Sequence, residues 1–483
     1  MKDISTNAKI VATIGPSSRN YETIRDIIAA GARVIRLNFS HGTPEEHQKT
    51  VDWARTASGE LDIPIAIFQD LQGPKIRVGS LEAESIEVKR GEELQISTNP
   101  CLGTRELISI DYPHLHEEVK PGDRVLIDDG LITLEVTGVA ENRIHTAVID
   151  GGVIKARKGV NLPDVALKHL SSYTAKDAED LAFAFANELD FVALSFVRNA
   201  SDVMALKKYM YKNFAKEIPI ISKIEKPEAV RDIDAIIRET SVIMIARGDL
   251  GVETSPEEVP VIQKTIIRKC NLAGLPVITA TQMLESMIQN PRPTRAEAGD
   301  VANAILDGTS AVMLSGETAA GAYPLRAVQI MKRIIMHTEA SVEYQRLVLD
   351  QRLNREDIEL KRKMSTTEAV GVATRELAME IKAAYIACFT HSGGSARLIS
   401  KFRPGVPIIA FSPVKQTTQQ LALSWGITPI LIPELLTLEE LLEMAPNYLL
   451  SLGYANKGDT IVVTAGVPVG SPGKTNMIKV VEL

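Results

Sequence analysis

Residues 218–249 read IPIISKIEKPEAVRDIDAIIRETSVIMIARGD, two short apolar runs that each end in charge and are separated by a helix-length interval. The runs begin at Ile218 and Ser241 and are rich in isoleucine, which is typical of strands buried on both faces of a parallel sheet. The stretch therefore predicts one strand–helix–strand repeat of an α/β fold, with polar residues at the ends of its strands.

Similar apolar runs recur along the chain. They begin at Lys9, Arg33, Ile63, Asp190, Ile218, Ser241, Leu275 and Ser310. Except between the third and fourth runs, the intervals are those of β-α units. Such a series of buried parallel strands predicts a closed (β/α)₈ TIM barrel.

The interval between the third and fourth runs has a different sequence pattern. It contains short alternating segments such as RVLIDD, LITLEVTGV and RIHTAVID, separated by PGD, DDG and GG turns. This pattern predicts an inserted all-β domain. An insertion at the catalytic end of a barrel is placed to act as a lid.

The sequence pattern changes again near Glu368. The segments EAVGVATRELAMEIK, YIACFT, SARLISKF and VPIIAFS predict helix, strand, helix and strand, after the charged linking stretch LDQRLNREDIELKRK. We therefore predict a separate C-terminal α/β domain. The predicted boundaries are 1–70 with 169–345 for the barrel, 71–168 for the lid and 346–483 for the C-terminal domain.

Composition and charge exclude several function classes. The 483 residues are 45% hydrophobic and carry a formal net charge of −7, with no dense basic stripe, which argues against a nucleic-acid partner. The three cysteines are far apart and lack metal-ligand spacing, which suits a reducing compartment. No apolar run reaches membrane-spanning length, and the first residues, MKDISTNAKI, contain no apolar stretch of the kind found in signal peptides. We expect a cytoplasmic protein without a membrane partner.

Polar residues gather at the carboxyl ends of the predicted strands, where barrel enzymes hold their chemistry. Residues two apart on a strand share a face. Five strands carry such sets: Arg36 with Asn38 and Ser40, Lys223 with Glu225, Arg247 with Asp249, Thr279 with Thr281, and Ser315 with Glu317. Any one set could cap the next helix or form an ion pair. A closed core has no structural reason to gather charge at one end in five strands.

These residue types suit phosphoryl transfer. Glu225 and Asp249 are carboxylates from adjacent strands, and Mg²⁺ typically takes one or two protein carboxylates. Arg36 and Lys223 supply fixed positive charge for a phosphorylated or carboxylated substrate. Phosphoryl transfer needs mainly a metal ion, cations and alignment. No P-loop or protein-kinase signature is present in the sequence, so those nucleotide-binding frameworks are excluded.

The segments IRLNFSHG, ISKIEKPEAV, MIARGDLGVE, TATQMLESM, NPRPTRAE and MLSGETA follow one another in this order. With them the chain resembles the pyruvate kinase family over essentially its whole length. The resemblance implies Mg²⁺- or Mn²⁺-dependent transfer of the phosphoryl group of phosphoenolpyruvate to ADP, giving pyruvate and ATP, the last step of glycolysis. It also implies a homotetramer with an allosteric C-terminal domain.

The resemblance also implies roles for the matching residues. Lys223 would bridge the phosphoryl group in flight, Arg36 would contact the phosphate, and Glu225 and Asp249 would hold the Mg²⁺. The backbone of Gly248 and Asp249 would receive the substrate carboxylate.

Two further groups of residues match the family. Arg77 and Lys176 would meet the nucleotide phosphates. Thr281, with Ser315 and Glu317, would belong to a proton relay at the enolate. A threonine is a weak acid, so a water molecule that Thr281 orients is an equally good proton source.

The stretch DLQGPKIR, which begins at Asp70, departs from the D-T-K-G-P-E-I-R of many family members. In those members a monovalent cation, usually K⁺, lies beside the substrate, and its ligands match Asn38, Ser40, Asp70 and the carbonyl of Leu71. An acidic residue accompanies that ion, and Lys75 takes its place here. An ammonium group supplies positive charge without a binding equilibrium, so we expect that K⁺ is not required. Alternatively, Lys75 faces solvent and K⁺ still binds.

The C-terminal domain carries a candidate effector site. Thr390, Ser392, Gly393 and Ser395 surround a predicted helix N-terminus, where hydroxyl and N–H groups bind anions. A serine that only caps the helix is the alternative. In the family this loop holds an effector phosphate. The later loop GVPVGSPGKTN has Lys474 as its only base and lacks the Trp and Arg of fructose-1,6-bisphosphate-regulated relatives, so we expect a sugar monophosphate or AMP.

Two other functions remain open from the sequence. A Mg²⁺-dependent aldolase or lyase on the same barrel would stabilise a similar enolate, but it would not need Lys223, Arg77 or a nucleotide-covering lid. A non-catalytic effector-binding relative would have lost Lys223, Glu225, Asp249 or Thr281, and none of these is lost.

Overall fold

A closed barrel of eight parallel strands forms the centre of the protein, in a computed structural model that describes residues 6–347, 364–434, 437–468 and 475–483. Numbered along the chain, the barrel strands are β1 (Lys9–Thr13), β2 (Ala32–Asn38), β3 (Ala66–Asp70), β12 (Phe191–Val197), β13 (Ile220–Ile224), β14 (Val242–Ala246), β15 (Val277–Ala280) and β16 (Ala311–Leu314). Their order around the barrel is β1-β16-β15-β14-β13-β12-β3-β2. The predicted (β/α)₈ barrel is confirmed.

Helices alternate with these strands and cover the outside of the barrel. They are α1 (Tyr21–Ala30), α2 (Pro44–Leu61), α4 (Ala175–Ala186), α5 (Ala200–Phe214), α6 (Pro227–Arg231), α7 (Ile233–Glu239), α8 (Arg247–Glu253), α9 (Val259–Ala273), α10 (Arg295–Leu306), α11 (Gly316–Ala319) and α12 (Pro324–Glu339), with a 3₁₀ turn at Glu285–Ile288. Several begin with reciprocal side-chain caps. At α4, for example, Thr174 accepts a hydrogen bond from the Asp177 backbone, and Asp177 accepts one from the Thr174 backbone.

The lid is all-β apart from one short helix, as predicted. Its strands are β4 (Ser85–Val88), β5 (Glu93–Ser97), β6 (Leu107–Ser109), β7 (Arg124–Ile127), β8 (Ile132–Ala140), β9 (Arg143–Asp150), β10 (Gly152–Lys155) and β11 (Val160–Asn161), and its helix is α3 (Leu115–Glu118). A six-stranded sheet has the order β11-β7-β8-β9-β5-β6, and β10 pairs with β4. The lid has its own apolar core, which includes Leu94, Ile96 and Val125.

The C-terminal domain is a five-stranded sheet with helices, again as predicted. The sheet order is β19 (Ile427–Leu431), β18 (Ile408–Ser412), β17 (Tyr385–Phe389), β20 (Thr460–Ala465) and β21 (Met477–Glu482), with only β21 antiparallel to its neighbour. The helices are α13 (Thr366–Glu380), α14 (Gly394–Lys401), α15 (Lys415–Leu421) and α16 (Leu438–Ser451). The predicted linking stretch lies outside the described residues, and so does Lys474.

The C-terminal domain packs against the barrel through buried contacts. Ala422 and Leu423 belong to the same apolar cluster as the residues that fill the barrel interior. Arg403 donates to the Asn271 side chain at 2.7 Å and stacks on the Trp425 ring, 4.4 Å from its centroid. Among the described residues, none of the helices is long and apolar enough to cross a membrane.

One buried acid outside the strand ends has a perturbed pKa. Asp190 immediately precedes β12, and its Oδ2 accepts a hydrogen bond from the Ile67 backbone N–H at 2.7 Å. Its Oδ1 is buried and has no hydrogen-bond partner among the described residues. Burial raises the pKa of Asp190 to about 7, although the Ile67 N–H and the charges of Arg55 and Lys415 oppose this.

We expect Asp190→Asn to stabilise the protein above neutral pH. Because the pKa of Asp190 is higher in the folded state (about 7) than its ordinary value of 3.8, wild-type stability falls as pH rises between these values and is constant above them. The variant lacks this titration, so its gain at about pH 8 is at most about 4 kcal/mol, at about 1.4 kcal/mol per pKa unit.

Urea unfolding followed by circular dichroism from mildly acidic to alkaline pH measures the gain. Asp26→Asn, at an exposed position of α1, is the matched control and should show no such pH dependence. A variant at position 190 that is no more stable than wild type in alkaline buffer contradicts the prediction.

Candidate active site

The Lys223 ammonium group lies at the centre of the charged cluster at the carboxyl end of the barrel. Its Nζ is 2.9 Å from Glu225 Oε1 and 3.4 Å from Asp70 Oδ1, and it donates to Ser195 Oγ at 2.9 Å. Ser195 in turn donates to the Leu71 carbonyl at 2.7 Å. Strands β3, β12 and β13 therefore meet around one lysine.

Arg36 reaches the same carboxylate from the other side. Its Nε and Nη2 are both 2.7 Å from Asp70 Oδ2, and its Nη1 donates to Thr13 Oγ1 at 3.2 Å. Asp70 is thus held between a guanidinium and an ammonium group, although only 1% of its surface is exposed. The barrel closes this cluster from water except at the mouth, where Arg36 and Lys223 are partly exposed.

The cluster fixes the ionisation of its members. Burial alone would raise the pKa of Asp70, but the charges of Lys223 and Arg36 outweigh burial and hold that pKa below its usual value. Burial opposes the charged form of Lys223, yet Asp70 and Glu225 raise the pKa of this lysine above its usual range. At neutral pH the cluster therefore presents a protonated lysine and an ionised aspartate.

Glu225 and Asp249 have the properties of a divalent metal site. Glu225 Oε2 accepts a hydrogen bond from the Phe196 N–H at 2.7 Å, and Oε1 pairs with Lys223 without hydrogen-bond geometry. Burial raises the pKa of Glu225, Lys223 opposes this, and the charge of Asp249, in the first turn of α8, adds to it. Two mutually repelling carboxylates with a buried oxygen free of hydrogen bonds fit a hard divalent cation such as Mg²⁺.

Thr281 lies beyond the end of β15 in a left-handed conformation. Its φ is 67°, which is uncommon for a β-branched residue. Its hydroxyl donates to the Ala280 carbonyl at 2.6 Å and accepts from the Gly248 N–H at 2.8 Å, while Arg247 binds the Thr281 carbonyl at 2.8 Å. The Gly248 N–H, predicted to receive a substrate carboxylate, is therefore paired with Thr281 in this structure.

Ser315 and Glu317 lie after β16, at the start of α11. Both Glu317 oxygens accept backbone hydrogen bonds, from Ser315 at 2.7 Å and from Leu284 at 3.0 Å, and the side chain is 1% exposed. Ser315 Oγ is buried and has no hydrogen-bond partner among the described residues. Glu317 therefore holds the backbone at Ser315 and Leu284, whereas the Ser315 hydroxyl makes no hydrogen bond to any described residue.

The four matched monovalent-cation ligands lie on two adjacent strands and the residues that follow them. Asn38 and Asp70 are partners in the β2–β3 ladder, and Asn38 Oδ1 accepts from the Ser40 N–H at 3.2 Å. The Leu71 carbonyl already accepts from Ser195. No ion pair within the described part of the chain joins Lys75 to Asp70.

Lys75 instead extends toward the lid. A Cβ built on Gly159 would lie 2.9 Å from Lys75 Cε and 3.5 Å from its Nζ. In this conformation the ammonium group is therefore beside the strand that returns from the lid.

Of the two predicted nucleotide ligands, Lys176 lies on the barrel and Arg77 lies where the chain passes from the barrel into the lid. Lys176, in the first turn of α4, donates to the Phe39 carbonyl at 3.3 Å and pairs with Asp180. Arg77 contacts the lid, through its Nη1 to the Arg157 carbonyl at 3.1 Å and its N–H to Asp111 at 2.5 Å.

The predicted effector residues lie together at the start of α14. Gly393 has φ 81° and precedes the helix, and Ser395 Oγ accepts from Thr475 Oγ1 at 2.6 Å. Arg397 Nη2 donates to the Ser392 carbonyl at 2.8 Å. Arg397, which adds a cation to this loop, was not predicted from the sequence, and neither were Ser195 and Phe196 in the barrel.

A closed barrel with a lid, whose mouth joins a lysine, an arginine and paired carboxylates, defines an enzyme class that acts on an anionic substrate beside a divalent cation. Two family models match the chain: the pyruvate kinase barrel domain over residues 5–328 and the pyruvate kinase alpha/beta domain over residues 368–481. The chain belongs to the pyruvate kinase family.

Named relatives agree with this assignment. A pyruvate kinase of Sporosarcina psychrophila is 45% identical over 98% of this chain and 80% of its own length. One of Clostridium acetobutylicum is 41% identical, with 98% of both chains covered. The crystal structure of a pyruvate kinase from Cryptosporidium parvum superposes with a TM-score of 0.93 at 39% identity, covering 99% of this chain and 96% of that one.

The chain is therefore a phosphotransferase that acts on phosphoenolpyruvate and ADP, and the family generally needs a divalent metal ion. The aldolase or lyase and the non-catalytic relative, which the sequence left open, are not favoured by these matches.

Proposed function

We propose that Lys223 and Arg36 bind the phosphoryl group during its transfer from phosphoenolpyruvate to ADP. The observation that carries this proposal is the Lys223 ammonium group, partly exposed at the mouth of the barrel and held there by three other side chains. Like charges about 4 Å apart repel by roughly 4 kcal/mol at an effective dielectric near 20. Two fixed cations lower that cost where the phosphate and the nucleotide meet.

Glu225 and Asp249 would hold the Mg²⁺, or Mn²⁺ in its place. The bound ion would supply positive charge next to the substrate oxygens. The Phe196 N–H, bonded to Glu225 Oε2 at 2.7 Å, orients this carboxylate. The substrate carboxylate would bind the backbone N–H groups of Gly248 and Asp249 at the N-terminal end of α8. The Gly248 N–H, which donates to the Thr281 hydroxyl in this structure, would then donate to the substrate.

Arg77 and Lys176 would bind the nucleotide phosphates. Lys176 is on the barrel and Arg77 is where the chain passes into the lid, so closure of the lid would bring the two cations together. Each now donates to a backbone carbonyl, and Lys176 also pairs with the Asp180 carboxylate, so a nucleotide phosphate would replace the carbonyls and compete with Asp180.

Thr281 and Ser315 would guide the proton to the enolate. The Thr281 hydroxyl is released when a substrate takes its Gly248 partner, and the Ser315 hydroxyl has no partner among the described residues. Both are suited to orient a water molecule. Glu317 would support this relay through the backbone of Ser315 rather than as a proton carrier.

The variants Lys223→Met and Thr281→Ala separate the two half-reactions. We expect Lys223→Met to slow phosphoryl transfer by about 10²-fold to 10³-fold, because an electrostatic contact made in the transition state is lost. Thr281→Ala should slow exchange of the pyruvate methyl protons with deuterated solvent more than it slows phosphoryl transfer. Nuclear magnetic resonance measures the exchange, and rapid-quench formation of ATP measures the transfer. Unchanged exchange in Thr281→Ala contradicts its role.

We propose that Lys75 serves the monovalent-cation position formed by Asn38, Ser40, Asp70 and Leu71, so that K⁺ is not required. Support comes from the chemistry of the substitution, a cation in place of an acidic residue. In the present conformation the ammonium group lies against Gly159, so this role requires the side chain to turn toward the substrate when it binds.

Activity in K⁺-free buffer tests this role. We expect wild type to gain well under about tenfold from added K⁺ at constant ionic strength, because the ammonium already supplies the charge. Lys75→Glu should become K⁺-dependent, whereas Lys75→Met, which removes the charge without adding a ligand, is the matched control. A gain of about tenfold or more in wild type rejects the proposal.

We propose that the loop from Thr390 to Ser395 binds a phosphorylated effector of a homotetramer. Ser392, Gly393 and Ser395 would bind one phosphate with the N–H groups of α14, and Arg397 lies beside them. Lys474, outside the described residues, would contribute from the neighbouring loop. One phosphate site of this kind favours a sugar monophosphate or AMP over a bisphosphate.

Calorimetric titration of AMP, ribose 5-phosphate, glucose 6-phosphate and fructose 1,6-bisphosphate tests the choice. We expect a monophosphate to bind most tightly and Ser392→Ala to weaken it by about fivefold to tenfold, the value of one hydrogen bond. Ser451→Ala, at the far end of α16, is the control. Tightest binding of the bisphosphate contradicts the proposal.

A further inference from the structure

A buried carboxylate joins the lid to the barrel. Glu253 is the last residue of α8 and is 2% exposed. Two donors converge on its Oε1 atom: Asn161 Nδ2 at 2.6 Å and Lys226 Nζ at 2.6 Å. Asn161 belongs to the lid strand β11, so one oxygen atom links the lid to two barrel segments.

Those two barrel segments are the ones that carry the candidate metal ligands. Lys226 directly follows Glu225, and Glu253 lies one helical turn after Asp249 on α8. On the lid side, Asn161 is paired with Leu126 of β7 in the six-stranded sheet. Asn161 therefore connects the lid sheet to Glu253 through one hydrogen bond and a short stretch of backbone.

The contact also has an unused acceptor and free space. Glu253 Oε2 is buried and has no hydrogen-bond partner among the described residues. Beside it is a cavity of about 20 Å³, room for about one water molecule, lined in part by Lys75, Phe196 and Arg198. A buried acceptor without a partner is unfavourable, so this junction is not a fully satisfied core contact and can rearrange.

We propose that Glu253 is a positioning residue that latches the lid and couples its position to Glu225 and Asp249. When the lid holds Asn161 on Glu253, the Lys226 and α8 segments are held in the register seen here. When the lid moves, Glu253 loses a donor and its carboxylate turns toward the cavity. Only the coupling to metal binding depends on the proposed roles of Glu225 and Asp249, because the latch itself is a contact between lid and barrel.

A different explanation is that Lys226 and Glu253 merely neutralise each other within the barrel. Under that explanation Asn161 is dispensable, and its loss leaves the lid as mobile as before. The two explanations differ in what happens at the lid crossing, residues 76–79 and 159–165, when the hydrogen bond from Asn161 is removed.

Hydrogen–deuterium exchange of the full-length protein, read by mass spectrometry, tests the latch. We expect Asn161→Ala to speed exchange at the two crossing segments by about tenfold, since local opening becomes easier. Arg143→Ala is the matched control, because Arg143 donates to Gln95 Oε1 at 2.9 Å within the lid and both residues lie outside the two crossing segments. The control should leave exchange at the crossing unchanged.

A second variant separates the latch from general loss of stability. The double change Lys226→Met/Glu253→Leu removes both buried charges together, which is often neutral for stability. It should match Asn161→Ala in exchange, and the triple variant should show no further gain, because both changes remove the same contact. Unchanged exchange in Asn161→Ala, or effects that multiply in the triple variant, overturns the latch.

The Mg²⁺ concentration that half-activates the enzyme tests the coupling. We expect Asn161→Ala to raise it by about fivefold with little change in kcat at saturating Mg²⁺, because ground-state positioning is lost. Faster exchange with an unchanged Mg²⁺ requirement overturns the coupling while the latch stands. The assignment of Glu225 as a metal ligand is tested separately by Glu225→Gln, which should lose activity even at saturating Mg²⁺.

Discussion

The active site depends on one constraint: charged side chains must be kept ionised inside a barrel that excludes water. Arg36 and Lys223 face Asp70, Glu225 and Asp249, so the cluster carries one net negative charge when all five groups are ionised. On the proposed metal site, a divalent cation would change this to one net positive charge, so the cluster would attract a metal ion first and an anionic substrate afterwards. Lys223 contacts Asp70, Glu225 and Ser195 at once, so it lies between them and does not form an ion pair with one carboxylate alone.

The path of the chain into the lid depends on the same cluster. Gly73, three residues after Asp70, has φ 71°, and a Cβ there would lie 2.8 Å from the Ser195 Cβ. Only glycine fits so close to the residue that binds Lys223. The Gly73 N–H bonds to Asp177, which also caps α4. The lid is thus attached to the barrel at the point where the charges converge, which makes its position sensitive to what binds there.

The sequence predicted the barrel strands and the gathering of Arg36, Lys223 and Glu225 at their carboxyl ends, but not the contacts that residues make beyond the strand ends. Within β2 the side chains alternate between the two faces of the strand as predicted, and Arg36 points toward Asp70. This alternation does not extend to Asp249 and Glu317, because the chain turns into a helix immediately after β14 and β16. Glu317 then binds two backbone N–H groups instead of facing the cavity. Ser195 had no signal, since a lone serine in a strand becomes notable only when the lysine of a neighbouring strand reaches it.

Lys75 shows why a substitution in sequence does not fix a position in space. Asp70 is already neutralised by Arg36 and Lys223, so a third cation at this place would add repulsion and lose hydration without a new partner. A bound substrate would change this charge balance, because its phosphate and carboxylate together carry more negative charge than Arg36 and Lys223 can neutralise. A lysine is flexible enough to stay beside Gly159 until then, whereas a bound K⁺ would have to exchange with solvent. On the proposed role, the location of Lys75 beside Gly159 rather than beside Asp70 agrees with the electrostatics of the Asp70 cluster.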